Sequence, residues 1–302
     1  MSAAGDALAA LAEARPFPVL AGALVYAAAF SARSFRLNLL LPPAERLPFL
    51  RGASLSAAAT FLLQVIPFRG GEVASWAAYK KALGSGWARS GTVFALVKAV
   101  DTAALLLVGL AGAALLGLRR GAPALGGTAA ALVLLGALAL LLAPRLAGSL
   151  LRALARRFPD GSRRRETAAQ LAEGLAIART EPGRYALSIA ASLAFLAGHV
   201  AALALILRGL GLSTSVAGLA FASLTSVTTA AVIPSPAGTF GPMESGFAAG
   251  LLLDGVPLAR GLVGATLLHL VTTATAGLCG LPFLLRRGQT RNEDAGESAE
   301  SN

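Results

Sequence analysis

The sequence predicts an all-α, polytopic membrane helix bundle with two re-entrant broken-helix hairpins arranged as an inverted repeat. Three observations lead there. Of 302 residues, 56% are hydrophobic and only 14% charged, with a mean hydropathy of +0.69; a water-soluble chain of that size needs more polar surface. Apolar runs long enough to cross about 30 Å of hydrocarbon, at about 1.5 Å per residue, recur along the chain. Two further apolar stretches are too short or too broken by proline and glycine for a simple crossing, and their flanking residues match one another.

The crossing runs are 17–41, 91–118, 122–143, 185–207 and 258–285. Residues 1–15 carry no basic leader ahead of the first run, which is expected to be an uncleaved anchor. It carries Arg33, Arg36 and Asn38 toward one end, where the arginines are expected to snorkel to the interface. Lys and Arg are dense at 33–51, 80–89 and 145–165, and again at Arg286, Arg287 and Arg291. The positive-inside rule makes those segments cytoplasmic and sets the direction of every run, with Arg119 and Arg120 against the trend in a tight outer turn. The expected location is the cell inner (cytoplasmic) membrane. Residues 163–180 read as a cytoplasmic amphipathic helix closed by Pro182 and Gly183, inside a basic linker spanning 145–183. The tail, 286–302, is polar and acidic and is expected to be a disordered cytoplasmic segment. Residues 1–285 then form a single transmembrane domain.

The stretch 53–68 falls short of the about 20 residues a crossing needs. It runs into Pro67, Phe68, Arg69, Gly70, Gly71 and Glu72. The stretch 212–233 runs into a segment from Pro234 to Glu244 that holds Pro236, Gly238, Gly241 and Pro242. Such density of proline and glycine breaks a helix, and broken helices survive at membrane depth only where protein or a wet cavity satisfies the freed backbone. Both read as re-entrant hairpins, the first from the cytoplasm and the second from outside.

The two stretches are related. Val65-Ile66-Pro67 precedes a glycine turn and Glu72; Val232-Ile233-Pro234 precedes a longer one and Glu244. Arg89 lies 17 residues past the first glutamate and Arg260 lies 16 past the second. Nine residues beyond each arginine stand Lys98 and His269, and three further on Asp101 and Thr272. The halves, about 52–118 and 212–285, read as a duplicated unit of broken hairpin plus long helix, inverted because the hairpins enter from opposite sides.

The candidate site follows from that arrangement. Lys98 and Asp101 share a helix face well inside the bilayer, where lone charges cost several kcal/mol, so they are expected to pair with each other or face a wet interior. Arg69 and Glu72 flank Gly70 and Gly71, whose turn amides favour an anion. Glu72 and Glu244 could equally cap the helices that follow them. His269 stands opposite Lys98 in the repeat, while His199 is read as a packed histidine. No metal site is expected, with one cysteine, Cys279, and two histidines 70 residues apart. The net charge of +11 sits between apolar runs rather than in a stripe with aromatics, which argues against nucleic acid. No phosphate-binding Walker sequence and no nucleophile elbow are present, and no cofactor or enzymatic reaction is expected.

The motifs Pro67-x-Arg69-x-Gly71-Glu72, Lys98-x-x-Asp101 and Pro234-x-Pro236-x-Gly238-x-x-Gly241-x-x-Glu244 resemble the lysylphosphatidylglycerol synthase transmembrane-region family, also called flippase-like proteins. The resemblance covers about 20–285. It implies a multi-spanning protein that moves a lipid between leaflets, without the soluble domain that makes aminoacylated lipid. The family pattern has asparagine at Gln64, arginine at Ser75, Glu-Arg at Val97-Lys98 and arginine at His269, and a further leading helix. The function expected is a flippase or transporter-like protein for an anionic or aminoacylated phospholipid or a polyprenyl-linked lipid. The anionic group would meet Arg69, the turn amides and Lys98, with Pro234, Gly238, Gly241, Glu244 and His269 completing the site. The alternative is a non-transporting accessory subunit of a membrane enzyme that modifies lipid or glycan.

Overall fold

The computed structural model describes residues 14–68 and 70–285, which are helical with no strand. Expectations placed on Arg69, on residues 1–13 and on the tail 286–302 lie outside the described residues. Proline opens three of the long helices, where its fixed φ fits and its missing N–H costs nothing. These are α1 (Pro16–Leu40), α5 (Pro123–Ala155) and α8 (Pro182–Gly209). The first hairpin is α2 (Phe49–Val65) and α3 (Gly70–Leu83), followed by α4 (Trp87–Arg119). The second is α9 (Val216–Val232) and α10 (Pro242–Leu252), followed by α11 (Leu258–Leu285). Between α5 and α8 lie α6 (Arg163–Gly174) and α7 (Ile177–Thr180). Helices α1, α4, α8 and α11 are long and apolar enough to cross a membrane.

Two expectations are corrected. The helix expected over 163–180 breaks in two, because Ala176 bonds back three residues to the Glu173 carbonyl and tightens the turn. Pro182 does not close that helix but opens the next. The run expected over 122–143 continues as one helix to Ala155.

Local contacts fix the direction of every helix. The Arg15 amide donates to the Gly209 carbonyl (2.8 Å), and the Arg184 guanidinium donates to the carbonyls of Leu39 and Leu41 (2.8 and 2.7 Å), so α1 and α8 are antiparallel. Helix α2 starts at the Leu40 end, where Ser34 donates to the Phe49 carbonyl (2.6 Å) and Asn38 bonds both ways with the Leu47 backbone. Helix α9 starts at the other end, where Asp254 accepts from the Ser215 amide and hydroxyl (2.5 and 2.7 Å). Arg120 reaches the Leu252 carbonyl there, joining the end of α4 to the end of α10. The two hairpins thus open at opposite ends of the bundle. Their tips touch: the Thr239 amide donates to the Gln64 carbonyl (3.0 Å) and the Phe68 amide to the Ser235 carbonyl (3.3 Å).

Each hairpin leans on the long helix that follows the other. Helix α2 packs along α11, with Ser54 donating to the Cys279 carbonyl (2.9 Å) and accepting from the Phe283 amide (3.1 Å). Helix α9 packs along α4, where Gly112 lies against the Ala217 carbonyl and Ala220. Small residues at these crossings let backbones approach closely, which is how helices gain packing energy without a hydrophobic drive between them. A Cβ at Gly280 would stand 2.6 Å from the Ala58 backbone.

Candidate functional site

At the centre of the bundle is a cavity of about 240 Å³ to which α1, α2, α4, α8, α9, α10 and α11 each contribute side chains. Helical spacing explains the selection. Arg33 and Arg36 stand three apart on α1, as do Lys98 and Asp101 on α4, while Ser56, Thr60 and Gln64 follow at four-residue steps on α2. Two of the lining residues, Thr102 midway along α4 and Val227 on α9, are exposed on the flank of the bundle. The lining therefore reaches the flank of the bundle at those helices.

One wall is cationic. Both oxygens of Asp101 are held: Arg36 pairs with Oδ1, and Arg33 reaches Oδ2 at 3.4 Å. Arg36 is 1% exposed and also donates to Ser192 (3.0 Å). Arg33 donates to the Thr60 hydroxyl (2.6 Å) and its guanidinium lies 3.8 Å from the centre of the Phe195 ring, a cation–π contact. Lys98 lines the cavity without an ion pair among the described residues. Of the two alternatives expected for Lys98 and Asp101, the mutual pair is replaced by a pairing of Asp101 with α1, while both side chains line the interior cavity. Arg33 and Arg36 do not snorkel, because the half-buried Asp101 carboxylate on α4 holds them inside the protein.

The opposite wall joins the second hairpin to α11. His269 Nδ1 lies 2.6 Å from Glu244 Oε1, and Glu244 Oε2 accepts from the Gly241 amide (2.6 Å). The two readings of Glu244 coincide: it caps α10 and it binds the histidine. His269 Nε2 lies 3.3 Å from the Thr239 hydroxyl, and Phe240 stacks on the ring with centroids 4.0 Å apart. Thr239 also bonds the Gln64 carbonyl, and Thr273 donates to Gln64 Oε1 (3.1 Å). Gln64, where the family resemblance expects asparagine, is the junction between both tips and α11.

The remaining predicted residues sit at the tips. Gly70 starts α3, and a Cβ on Gly71 would press on the Leu62 carbonyl and stand 2.7 Å from Leu63 Cα, so glycine there lets the two arms close. Gly238 has φ +71° and lies against the Gln64 carbonyl, while Gly241 has φ +92° in open space. Pro234 is exposed where α9 breaks. Glu72 is exposed in the first turn of α3, complements the helix N-terminus and does not line the cavity.

The structure brings Lys98, Asp101, Glu244 and His269 to one cavity. Arg33, Arg36, Gln64 and His199 join them on its lining, although the sequence reading had not placed them in the site. Arg33 and Arg36 carried a usable signal, since their three-residue spacing puts two cations on one face of an apolar helix. The sequence model of the family described as "Lysylphosphatidylglycerol synthase TM region" matches residues 3–280. The chain belongs to that family. With its long apolar helices, this member of the lysylphosphatidylglycerol synthase TM region family is a multi-pass membrane protein. No curated protein and no solved structure matches it.

Proposed function

We propose that the protein moves the polar head group of a phospholipid or polyprenyl-linked lipid between leaflets of the cell inner membrane, without carrying out a reaction on it. The observation that carries this reading is the central cavity, whose lining runs from ionisable side chains to residues exposed on the flank of the bundle. A charge at the centre of a bilayer costs about 3 kcal/mol or more, and a polar path inside the protein lowers that cost while acyl chains stay in lipid. In this reading α2–α3 and α9–α10 are re-entrant hairpins of an inverted repeat, entering from the cytoplasm and from outside. Their opening at opposite ends of the bundle supports it, as does the meeting of Lys98 and His269, equivalent in the two halves, at one cavity. The density of Lys and Arg at the Leu40 end supports a cytoplasmic location for that end.

Reconstitution of the purified protein in vesicles with trace fluorescent phospholipid tests the proposal. Transbilayer movement faster than in protein-free vesicles is expected, and slower movement in Lys98→Gln. Equal rates with and without protein would instead favour the non-transporting accessory subunit.

A further inference from the structure

Three basic side chains, Arg33, Arg36 and Lys98, line the cavity against two carboxylates, Asp101 and Glu244. Six buried side-chain polar atoms lack a hydrogen-bond partner among the described residues, and four of them belong to cavity residues: Arg33 Nε, Arg36 Nε, Ser56 Oγ and His199 Nδ1. Buried polar groups without partners are rare and call for a ligand or ordered water. Lys98, also on the lining, adds an ammonium without an ion pair. Both carboxylates are by contrast already paired. Asp101 has one oxygen on Arg36 and the other on Arg33, and Glu244 has one on His269 and the other on the Gly241 amide.

We infer that the cavity seats a lipid phosphate whose head group carries no ammonium, a phosphatidylglycerol- or phosphatidate-like anion, with Lys98, Arg33 and Arg36 as its donors. Asp101 is a positioning residue that holds the two guanidinium groups beside the seat. A phosphate presents acceptor oxygens to planar guanidinium and to ammonium together. An aminoacylated head group would add an ammonium next to three basic side chains, with both carboxylates of the lining already paired to cationic or N–H partners. Like charges at such range are unfavourable, and that repulsion supplies the selectivity. The seat for an anion therefore also rejects the lysylated form of the same lipid.

This inference rests on the transport reading for its lipid source, so the test has a binding arm and a transport arm. In the first, the full chain in detergent is melted with dioctanoyl phosphatidic acid, dioctanoyl phosphatidylcholine or inorganic phosphate. Stabilisation by the phosphatidic acid alone is expected, with apparent affinity about tenfold weaker in Lys98→Gln, the loss of one charge-assisted contact. No shift with phosphatidic acid overturns the seat and leaves the cavity to water. An equal shift with inorganic phosphate overturns its assignment to lipid. In the second arm, vesicles carry trace labelled phosphatidylglycerol or its lysyl ester. Faster movement of phosphatidylglycerol supports the selectivity, and movement of the lysyl ester at the same rate or faster overturns it. Movement of neither lipid, with binding intact, removes the transport reading and keeps the anion seat.

Discussion

Asp101 and Lys98 stand one helical turn apart on the same cavity and should respond to substitution in opposite ways. Asp101→Asn leaves Arg36, which is 1% exposed, without its counter-charge. Loss of one partner of a buried pair costs about 3–5 kcal/mol, and denaturation of the variant in detergent should show a loss of that order. The double variant Asp101→Asn with Arg36→Gln should lose less than the sum of the singles, by about 1–3 kcal/mol, because the two groups interact directly. Lys98→Gln removes no ion pair and should change stability by less than about 1 kcal/mol. The two tip glycines offer a second contrast. Gly241→Ala places a side chain at φ +92° in open space, a strain of about 1–3 kcal/mol. Gly238→Ala adds to that strain a clash with the Gln64 carbonyl and should be the more destabilising variant. At this scale the sequence revealed the ionisable residues of apolar helices but not their partners. Spacing along α4 puts Lys98 beside Asp101, and only the packing of α1 against it shows that the carboxylate belongs to Arg33 and Arg36.

Whole helices were easier to read. The first run was expected over 17–41 and is Pro16–Leu40; the last, expected over 258–285, is Leu258–Leu285. Both breaks fall at the expected prolines, since a residue before proline is pushed out of the helical region. The split between α6 and α7 was not legible, because a polar amphipathic segment gives no apolar run to mark its ends. Pairing between helices was equally hidden, as glycine is plentiful in this chain and only some glycines lie in crossings. The distinction is measurable. Gly280→Ala, whose Cβ would stand 2.6 Å from the Ala58 backbone, should lower thermal stability by separating α2 from α11. Gly127→Ala, in α5 with nothing within 4 Å, should be neutral or stabilise by up to about 1 kcal/mol.

Across the whole molecule, the prediction concerns which end of the bundle faces which compartment. In a Cys279→Ser background, Gly86→Cys lies in the loop between α3 and α4, where a side chain meets nothing within 4 Å, and Ser213→Cys is exposed before α9. A membrane-impermeant thiol reagent should reach the first only from the cytoplasmic side and the second only from outside. Labelling of both from one side would remove the inverted repeat. Charge distribution along the sequence was enough to expect this orientation, but it held no sign that the tips meet at Gln64 and Thr239. That contact spans 175 residues and consists mainly of backbone bonds, which leave no trace in side-chain pattern.

The lean of α2 on α11 has a consequence for biogenesis. Ser54 is made early, yet its carbonyl partner at Cys279 lies 225 residues later. While the ribosome is still working through the middle of the chain, α2 has α1 and α3 to rest on, but its face toward α11 must wait without a partner. The fold is completed from its last synthesised segment backward, and a nascent chain arrested before α11 should be handed to quality-control proteases rather than stored as a folded half.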